Sequence, residues 1–354
     1  MTLEVLWQPV QVGELTLGNR LAMAPMTRSR ATPGGVPTDM NAEYYAQRAS
    51  LGLIISEGTQ PSADGQGYLF TPGIGNEAQV AGWRKVTDAV HASGGQIFIQ
   101  LMHVGRISHP SNTAHGRQAV APSAVAPAAQ MVTRAGRQDI PVPHAMTTEE
   151  IRAVIQEFRH AAAAARRAGA DGVEIHGASG YLIQQFLSDN ANLRTDKYGG
   201  SVGNKIRFAI EVAAAVAEAI GPGRTGFRIS PGNTFNDIVE NHIPDVYEAL
   251  VKELGRLGLA YLHVLHLGEE TLLQKIRGFW PGVLILNRGG ADIAARVADL
   301  ETGLADVAAV GVMSLANPDL VERIRKAAPL NPPDPTTFYG GGASGYTDFP
   351  TLAT

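Results

Sequence analysis

The 354-residue chain has no cysteine. It therefore forms no disulfide, holds no iron–sulfur cluster or thiolate-bound metal, and carries no cysteine nucleophile. Charge of either sign is also sparse and mixed: 29 basic and 33 acidic residues give a formal net charge of -4. Because nucleic-acid and membrane-surface proteins need a concentrated basic patch, we expect no nucleic acid and no membrane among the partners.

Long apolar runs are missing as well. No stretch reaches the roughly 18 apolar residues that a membrane-spanning helix requires. Residues 1–20 have neither the basic start nor the apolar run of a secretory signal, so we expect a cytoplasmic location. Hydrophobic residues make up 44% of the chain and charged residues 18%, which is typical of a globular protein with a sizeable core.

Short apolar runs alternate with longer helical patterns along the whole chain. The sequence predicts strands at 21–25, 53–57, 96–101, 172–176, 226–230, 261–265, 283–286 and 306–310. It predicts the helices that follow them at 41–50, 77–93, 148–168, 204–220, 245–257, 269–277, 292–302 and 317–327. Such alternation indicates an α/β protein with parallel strands joined by helical crossovers. Eight units favour a closed (β/α)8 TIM barrel over an open sheet, whose usual Gly-x-Gly-x-x-Gly phosphate loop is also missing after the early strands.

Three segments lie outside this repeat. Residues 1–20 are predicted to form an N-terminal hairpin that caps the bottom of the barrel. Residues 104–147 form a long excursion after the third strand, and a structureless loop of that length is typical of a functional lid. Residues 329–354 are rich in Pro and Gly but contain four aromatic residues, so we expect this tail to pack on the barrel. We therefore expect a single domain over residues 1–354.

In barrels of this type the C-terminal ends of the strands and the loops after them form the active site. The predicted strand ends carry Gln, Arg, His, Ser and Tyr but no Lys, which argues against an aldolase with a Schiff-base lysine. Carboxylates are few there, so no metal site is expected. For the nearest two, Glu57 and Glu174, we favour a structural ion pair or hydrogen bond over a catalytic role.

Five segments, in chain order, resemble motifs of the Old Yellow Enzyme family. They are APMTRSR at 24–30, QLMHVGR at 100–106, GVEIH at 172–176 followed by GYL at 180–182, NLRTDKYGGS at 192–201, and YGGGASGYTDFP at 339–350. The resemblance covers nearly the whole chain and is closest to the bacterial N-ethylmaleimide and pentaerythritol tetranitrate reductases. It implies an FMN-dependent oxidoreductase that uses NADPH or NADH to reduce activated alkenes such as enones, maleimides and nitroalkenes.

The resemblance also implies which residues hold the flavin ring. Arg228 would lie near flavin N1 and O2, where hydride uptake leaves negative charge that a fixed guanidinium stabilises. The remaining contacts would be a hydrogen bond from Thr27 to O4, a hydrogen bond from Gln100 to the pyrimidine edge, and backbone packing from Pro25, Met26 and Gly58.

Substrate residues follow from the same resemblance. His176 and the residue three positions later would hold the carbonyl or nitro oxygen, so that the β-carbon accepts hydride. Tyr181 would protonate the α-carbon, because a phenol with an ordinary pKa of about 10 is still protonated at neutral pH. The pocket walls would be formed by Tyr68, Met102 and Tyr346.

The sequence departs from the family pattern at the second oxygen anchor. Ser179 stands where relatives carry His or Asn. Serine donates one hydrogen bond but has a shorter reach, so we expect a weaker or re-aimed anchor.

A second departure concerns the FMN phosphate. Relatives have Gly-Arg after the eighth strand, whereas this chain has Gly311-Val312, which removes a charge-assisted contact. Because the loops after strands seven and eight form the usual phosphate site of such barrels, we hypothesise that Arg288 supplies the missing guanidinium. Backbone amides near Gly289, Gly290 and Gly311 would surround the phosphate oxygens.

Two alternatives stay open at this point. The first is a flavin reductase of nitro, quinone or nitrate-ester substrates. The second, of another class, is a flavin-poor relative with a binding role. The sequence leaves open the physiological substrate, the choice between NADPH and NADH, and whether the protein is a monomer or a homodimer.

Overall fold

Strands and helices alternate along the chain as the sequence predicts. A computed structural model describes residues 3–352. Its strands are β1 Val10–Val12, β2 Leu15–Leu17, β3 Leu21–Met23, β4 Leu53–Ile55, β5 Ile97–Leu101, β6 Val120–Ala121, β7 Gln130–Thr133, β8 Gly136–Asp139, β9 His144–Ala145, β10 Gly172–Gly177, β11 Thr225–Ile229, β12 Tyr261–His266, β13 Val283–Arg288 and β14 Val307–Val310. Its helices are α1 Asp39–Ala46, α2 Glu77–Ala92, α3 Thr148–Arg167, α4 Leu182–Leu187, α5 Val202–Ile220, α6 Ile243–Gly255, α7 Glu270–Phe279, α8 Ile293–Glu301, α9 Val312–Ala316 and α10 Leu320–Arg325. Short 3-10 helices cover Glu4–Trp7, Ala63–Gly65, Pro110–Asn112, Pro222–Arg224 and Pro335–Thr337.

Eight of the strands close into a barrel. Their order is β10-β11-β12-β13-β14-β3-β4-β5, with parallel pairing between neighbours, so the predicted (β/α)8 barrel is confirmed. Strands β10 and β11 are buried along their whole length, as expected when helices cover the outside and side chains fill the interior. The register sets His176 of β10 beside Arg228 of β11, and Arg228 beside His263 of β12.

The start of α3 shows how local sequence fixes an element. The Glu150 amide donates to the Thr147 hydroxyl at 3.2 Å, and the Glu150 carboxylate accepts from the Thr147 amide at 2.7 Å. This reciprocal capping box satisfies two backbone donors that the helix itself leaves free. The helix then buries Ile151 and Phe158 completely on its barrel-facing side.

The N-terminal hairpin of β1 and β2 closes the bottom of the barrel. Val12 and Leu17 are fully buried and pack in one cluster with barrel-interior residues such as Phe98 and Tyr261. The Glu14 amide at the turn donates to the Gly223 carbonyl at 3.1 Å. Met1 and Thr2, which belong to the predicted cap, lie outside the described residues.

The excursion after the third barrel strand is folded, which corrects the expectation of a structureless loop. β6 pairs with β9 in parallel, and β7 and β8 form an antiparallel hairpin. Met131 and Ile140 of this region are buried in a cluster with Met102. The longer of these strands, β7 and β8, carry mixed or polar residues instead of the apolar runs of the barrel strands, which is why the sequence did not predict them.

The C-terminal tail lies against the barrel through backbone carbonyls. Arg28 donates to the carbonyls of Phe338 and Gly345 at 2.9 and 2.7 Å, and Arg30 donates to that of Thr337 at 2.9 Å. Residues 353 and 354 of the predicted tail lie outside the described residues. None of the helices between residues 3 and 352 combines the length and the apolar character that crossing a membrane requires.

Candidate active site

An imidazole and a phenol face the same space at the barrel mouth. His176 lies near the end of β10, and Tyr181 is the residue immediately before α4. Their ring centroids are 5.2 Å apart with an interplanar angle of 58°. The sequence predicted both residues at one site, and the short strand–turn–helix connection between them brings them together.

A second tyrosine holds the phenol of Tyr181 in place. The Tyr181 and Tyr68 hydroxyls are 3.0 Å apart, and their rings meet edge to face with centroids 6.3 Å apart. Burial first, and then the neighbouring Tyr68, raise the pKa of Tyr181 well above its ordinary value. Tyr181 therefore stays protonated at neutral pH, while Met102 packs beside it in the same apolar cluster.

His176 is neutral at this site. Burial, together with the positive charge of Arg228, lowers the pKa of His176 well below its ordinary value. Its Nδ1 is buried and has no hydrogen-bond partner within residues 3–352. A neutral imidazole keeps one N–H donor, so the ring can still donate a hydrogen bond to a substrate oxygen.

Arg228 is a buried cation with unused hydrogen-bonding capacity. Its side chain is 6% exposed, and no described residue accepts a hydrogen bond from its Nε. Burial lowers the pKa of Arg228, and the charge of Glu174 partly opposes that effect. Because its Nε has no acceptor among the described residues and a charged donor makes strong hydrogen bonds, this guanidinium is suited to an electron-rich ligand such as the pyrimidine edge of a flavin.

A hydrogen-bonded carboxylate lies just below the mouth. Glu174 accepts from Gln100 Nε2 at 2.8 Å and pairs with His263 Nδ1 at 2.8 Å. All three side chains are buried. The interpretation of Glu174 as a structural hydrogen-bonding residue therefore agrees with its surroundings, and Gln100 lies directly beside it on β5.

The loop after β3 is held by the other carboxylate that the sequence singled out. Glu57 Oε2 accepts from the amides of Arg28 and Ser29 at 3.0 and 3.2 Å. This contact fixes the preceding segment, residues 25–27, in which Pro25, Met26 and Thr27 are all partly exposed. Beside it, a Cβ on Gly58 would lie 2.5 Å from Met102 Sδ, so the Met102 side chain packs directly against this glycine.

Ser179 has an unusual backbone. Its φ of 56° lies in the left-handed region, which Asn adopts more readily than Ser. Its amide donates to Ser230 Oγ at 2.8 Å, and its carbonyl accepts from Asn236 Nδ2 at 2.8 Å. The turn that carries the predicted second anchor is therefore held by the loop after β11.

Arg288 does not have the free guanidinium that the phosphate hypothesis requires. Its Nε and one terminal nitrogen donate to Asp299 at 2.6 and 2.8 Å, and both terminal nitrogens contact Glu270. Two carboxylates more than neutralise this single cation. The neighbouring candidates Gly289, Gly290 and Val312 are exposed, and Gly311 is partly exposed, so their backbone remains open to a ligand.

Arg296, which the sequence analysis missed, ties these two loops together. Its terminal nitrogens donate to the Ala309 carbonyl at 2.7 Å and to the Arg288 carbonyl at 2.8 Å. The side chain is 5% exposed although it lies on α8. An arginine inside a predicted helix gives no sequence signal that it points inward to the loops after β13 and β14.

The structure does not bring Tyr346 to the pocket wall, which corrects the sequence prediction. Its side chain has no exposed surface, and its ring stacks on Tyr44 with centroids 4.1 Å apart. Its hydroxyl accepts from Asn41 Nδ2 at 2.9 Å. The tail places Tyr339 nearer the mouth instead: it is 69% exposed and contributes to the raised pKa of both Tyr68 and Tyr181.

Comparisons with known proteins agree with this geometry. A family model described as the NADH:flavin oxidoreductase / NADH oxidase family matches residues 5–331. A probable flavin mononucleotide-dependent alkene reductase from Leishmania infantum is 44% identical over 363 residues, which cover 99% of this chain and 98% of the relative.

Solved structures resemble the whole fold. Morphinone reductase in complex with tetrahydroNAD has a TM-score of 0.95 at 45% identity, with 98% of each chain covered. The old yellow enzyme homologue from Zymomonas mobilis has a TM-score of 0.95 at 40% identity, with 98% of this chain and 99% of that chain covered. The similarity therefore extends over both the barrel and the segments outside it.

Proposed function

Because the chain belongs to the NADH:flavin oxidoreductase / NADH oxidase family, we infer that it is an FMN-dependent enzyme that uses NAD(P)H to reduce activated carbon–carbon double bonds. The resemblance to Old Yellow Enzyme is confirmed by the family match and by the structural neighbours. The observation that carries the proposal is the buried Arg228 guanidinium with a free Nε, beside neutral His176 and protonated Tyr181. These groups suit a redox cofactor and a polarised substrate, so a flavin-poor binding role is not favoured.

The residues of the mouth fit FMN. We propose that Arg228 and Gln100 bind its pyrimidine edge and that Thr27 donates to O4, while Pro25, Met26 and Gly58 pack against the ring. When bound, FMN supplies the hydride that it takes from NAD(P)H. The structure of morphinone reductase with tetrahydroNAD supports a nicotinamide partner for this chain.

Backbone groups are the candidates for holding the phosphate. We propose the amides of Gly289, Gly290, Gly311 and Val312, at the loops after β13 and β14, because Arg288 is already paired with two carboxylates. Arg296 supports this site from behind by holding the Arg288 and Ala309 carbonyls.

His176 orients and polarises the substrate. Its neutral ring donates one hydrogen bond to the carbonyl or nitro oxygen, and the Ser179 hydroxyl is the proposed second donor. Withdrawal of electron density toward that oxygen makes the β-carbon electron-poor. Tyr68 and Met102 form the wall beside the reacting double bond, and the exposed Tyr339 lies at the entrance.

Tyr181 supplies the proton. Its raised pKa keeps the phenol protonated until negative charge develops on the substrate α-carbon. The hydroxyl of Tyr68, 3.0 Å away, can donate to the phenolate that remains. We further propose that the described chain acts as one domain on a small-molecule substrate, and that it does so as a monomer or a homodimer.

An anaerobic titration tests this function. Purified protein reconstituted with FMN should turn yellow, lose its colour with NADPH, and regain it with 2-cyclohexenone. Recovery of colour with a quinone or nitro compound but not with any activated alkene would favour the alternative flavin reductase. Failure to bind FMN at all would overturn the proposal. The name of the Leishmania relative supports the alkene outcome.

A further inference from the structure

Gln100, Glu174 and His263 form a hydrogen-bonded network inside the barrel, with a geometry that apolar packing alone does not require. Glu174 is 0% exposed and receives one hydrogen bond from each side: from Gln100 on neighbouring β5, and from His263 on β12, two strands away. On β11, the strand between them, Gly226 lies beside Glu174 and has no side chain, while Arg228 lies beside His263. A Cβ at Gly226 would lie 2.2 Å from the Tyr261 ring, so the barrel interior is filled there already.

The carboxylate fixes the orientation of both partners. An ionised carboxylate can only accept hydrogen bonds, so Gln100 must turn its NH2 group toward Glu174 and its carbonyl oxygen away from it. By the same argument His263 carries its proton on Nδ1, which leaves Nε2 as a lone pair. That Nε2 is buried without a hydrogen-bond partner in the described part of the chain.

Glu174 is also the charge that balances Arg228. The negative charge of Glu174 favours the charged form of the guanidinium and opposes the lowering of the Arg228 pKa by burial. The carboxylate oxygens are occupied by Gln100 and His263, so the two charges act on each other through space. The N–H groups of Arg228 therefore remain available for a ligand.

We propose that Glu174 is a positioning residue of the flavin site: its carboxylate orients the Gln100 amide and sets the negative charge against which Arg228 acts on the cofactor. This inference rests on the proposed function, since it needs FMN at the mouth. Hydride uptake adds negative charge to the cofactor, and Arg228 attracts that charge while Glu174 opposes it. Glu174 thus keeps the reduction potential low enough for the hydride to be passed on to an alkene.

The test is the reduction potential of bound FMN in Glu174→Gln. This variant keeps the shape of the side chain and removes its charge, so the cofactor should become easier to reduce. At equilibrium with a reference dye, the ratio of reduced to oxidised FMN should rise at least about tenfold, which is about 30 mV for a two-electron couple. The dissociation constant of FMN should rise several-fold, because the Gln100 amide can then rotate.

Two control variants separate charge from structure. Asp306→Asn makes the same chemical change in the Arg277 pair, just before β14 at the opposite end of the barrel, and should leave the potential unchanged. His263→Leu removes the hydrogen bond from Nδ1 but keeps the Glu174 charge, so near neutral pH it should shift the ratio less than about threefold. An equal shift in His263→Leu and Glu174→Gln, or an unchanged potential in Glu174→Gln, would overturn the inference.

A second measurement applies if Glu174→Gln does not fold. Loss of the His263 donor should raise the pKa of Glu174, so the potential of His263→Leu should rise above that of the wild type as the pH falls from 8 to 6. The other titratable groups around Glu174 are Arg228, Tyr261 and His176, which both proteins share. Parallel curves for the two proteins would contradict the inference. If wild-type protein does not bind FMN, the proposed function fails instead, and the two failures are distinguishable.

Discussion

The two ends of the barrel are built from the same eight strands but differ in the side chains that fill them, which are mainly apolar at the bottom and include an imidazole and a guanidinium at the mouth. At the bottom, Val12 and Leu17 of the hairpin are fully buried against Phe98 and Tyr261. At the mouth, buried nitrogens of His176 and Arg228 have no hydrogen-bond partner among residues 3–352. Native proteins satisfy most buried polar groups, so the unpaired ones at the mouth indicate where a ligand completes the structure. The apolar bottom stabilises the fold, whereas the unpaired buried groups at the mouth lower its stability and are available to bind a ligand.

The largest expected effect is the loss of the proton donor at the mouth. Tyr181→Phe should slow alkene reduction about 10²- to 10⁴-fold, the usual contribution of a general acid, without slowing the reduction of bound FMN by NADPH. Stopped-flow absorbance of the two half-reactions measures both. Tyr198→Phe is the matched control, because it removes another tyrosine hydroxyl, which donates to Glu211 on α5. Equal slowing of both half-reactions in Tyr181→Phe would place the residue in cofactor binding instead.

Truncation of an apolar side chain at the bottom should lower the stability of the protein and leave FMN binding unchanged. Leu17→Ala removes a fully buried side chain from the hairpin, so the free energy of unfolding should fall by about 2–5 kcal/mol. FMN affinity should not change, since the hairpin lies at the opposite end from the mouth. Leu15→Ala, at a partly exposed position of the same strand, should cost less. Urea unfolding measures the stability and FMN titration measures the affinity. A large loss of FMN affinity would show that the hairpin also affects the mouth.

Lowering the pH should destabilise the protein through the buried histidines near the mouth. Burial lowers the pKa of His103 to about 4, and burial also lowers the pKa values of His176 and His263. Histidine in the unfolded chain has a pKa of about 6.5, so between these values the unfolded state binds protons that the native state does not. Stability should therefore fall as the pH drops from about 6.5 toward 4, by up to about 1.4 kcal/mol per pH unit for each histidine.

The variant His103→Asn isolates one of these histidines. The slope of unfolding free energy against pH should decrease by about one proton relative to the wild type, and urea unfolding between pH 4 and 7 measures it. Buried carboxylates such as Glu57, whose pKa is raised by burial, have the opposite effect but are common to both proteins. An unchanged slope would mean that His103 gains its proton in the native state.

The smallest expected effect is at the second oxygen anchor. Ser179→Asn should raise the rate of enone reduction several-fold, because Asn has a longer donor and adopts a φ of 56° more readily. Ser179→Ala is the control: it should lower the rate if the hydroxyl donates to the substrate. Steady-state rates of 2-cyclohexenone reduction measure both effects. A tenfold fall in the rate of Ser179→Asn would show that Ser179 binds the substrate in a geometry that Asn does not reproduce.

Most of the fold could be predicted because its signals are local. The capping box at Thr147 and Glu150 marks the start of α3, and each barrel strand is an apolar run between turns. The boundaries differed by a few residues, as at β3, predicted over 21–25 and found at Leu21–Met23. α4 and α9 were not predicted, since five or six residues give no helical period.

The site could be predicted only where residues lie at strand ends or in a motif. His176 and Tyr181 share one motif, and the barrel rule placed Arg228 at the mouth. Which residues pair with each other depends on contacts across the fold, so the sequence did not show that Glu270 and Asp299 occupy Arg288. Likewise, the aromatic tail motif did not show which of its tyrosines is buried.

The most direct test of the contrast between the two ends is the stability of Arg228→Met with and without FMN. Methionine keeps much of the side-chain length and removes the charge that balances the buried Glu174, so the variant apoprotein should be less stable than the wild-type apoprotein. Saturating FMN should raise the melting temperature of the wild type clearly more than that of the variant, because ligand stabilisation grows with affinity. An FMN-induced rise in melting temperature that is equal in the variant and the wild type would show that Arg228 is only a structural cation and contradict the account.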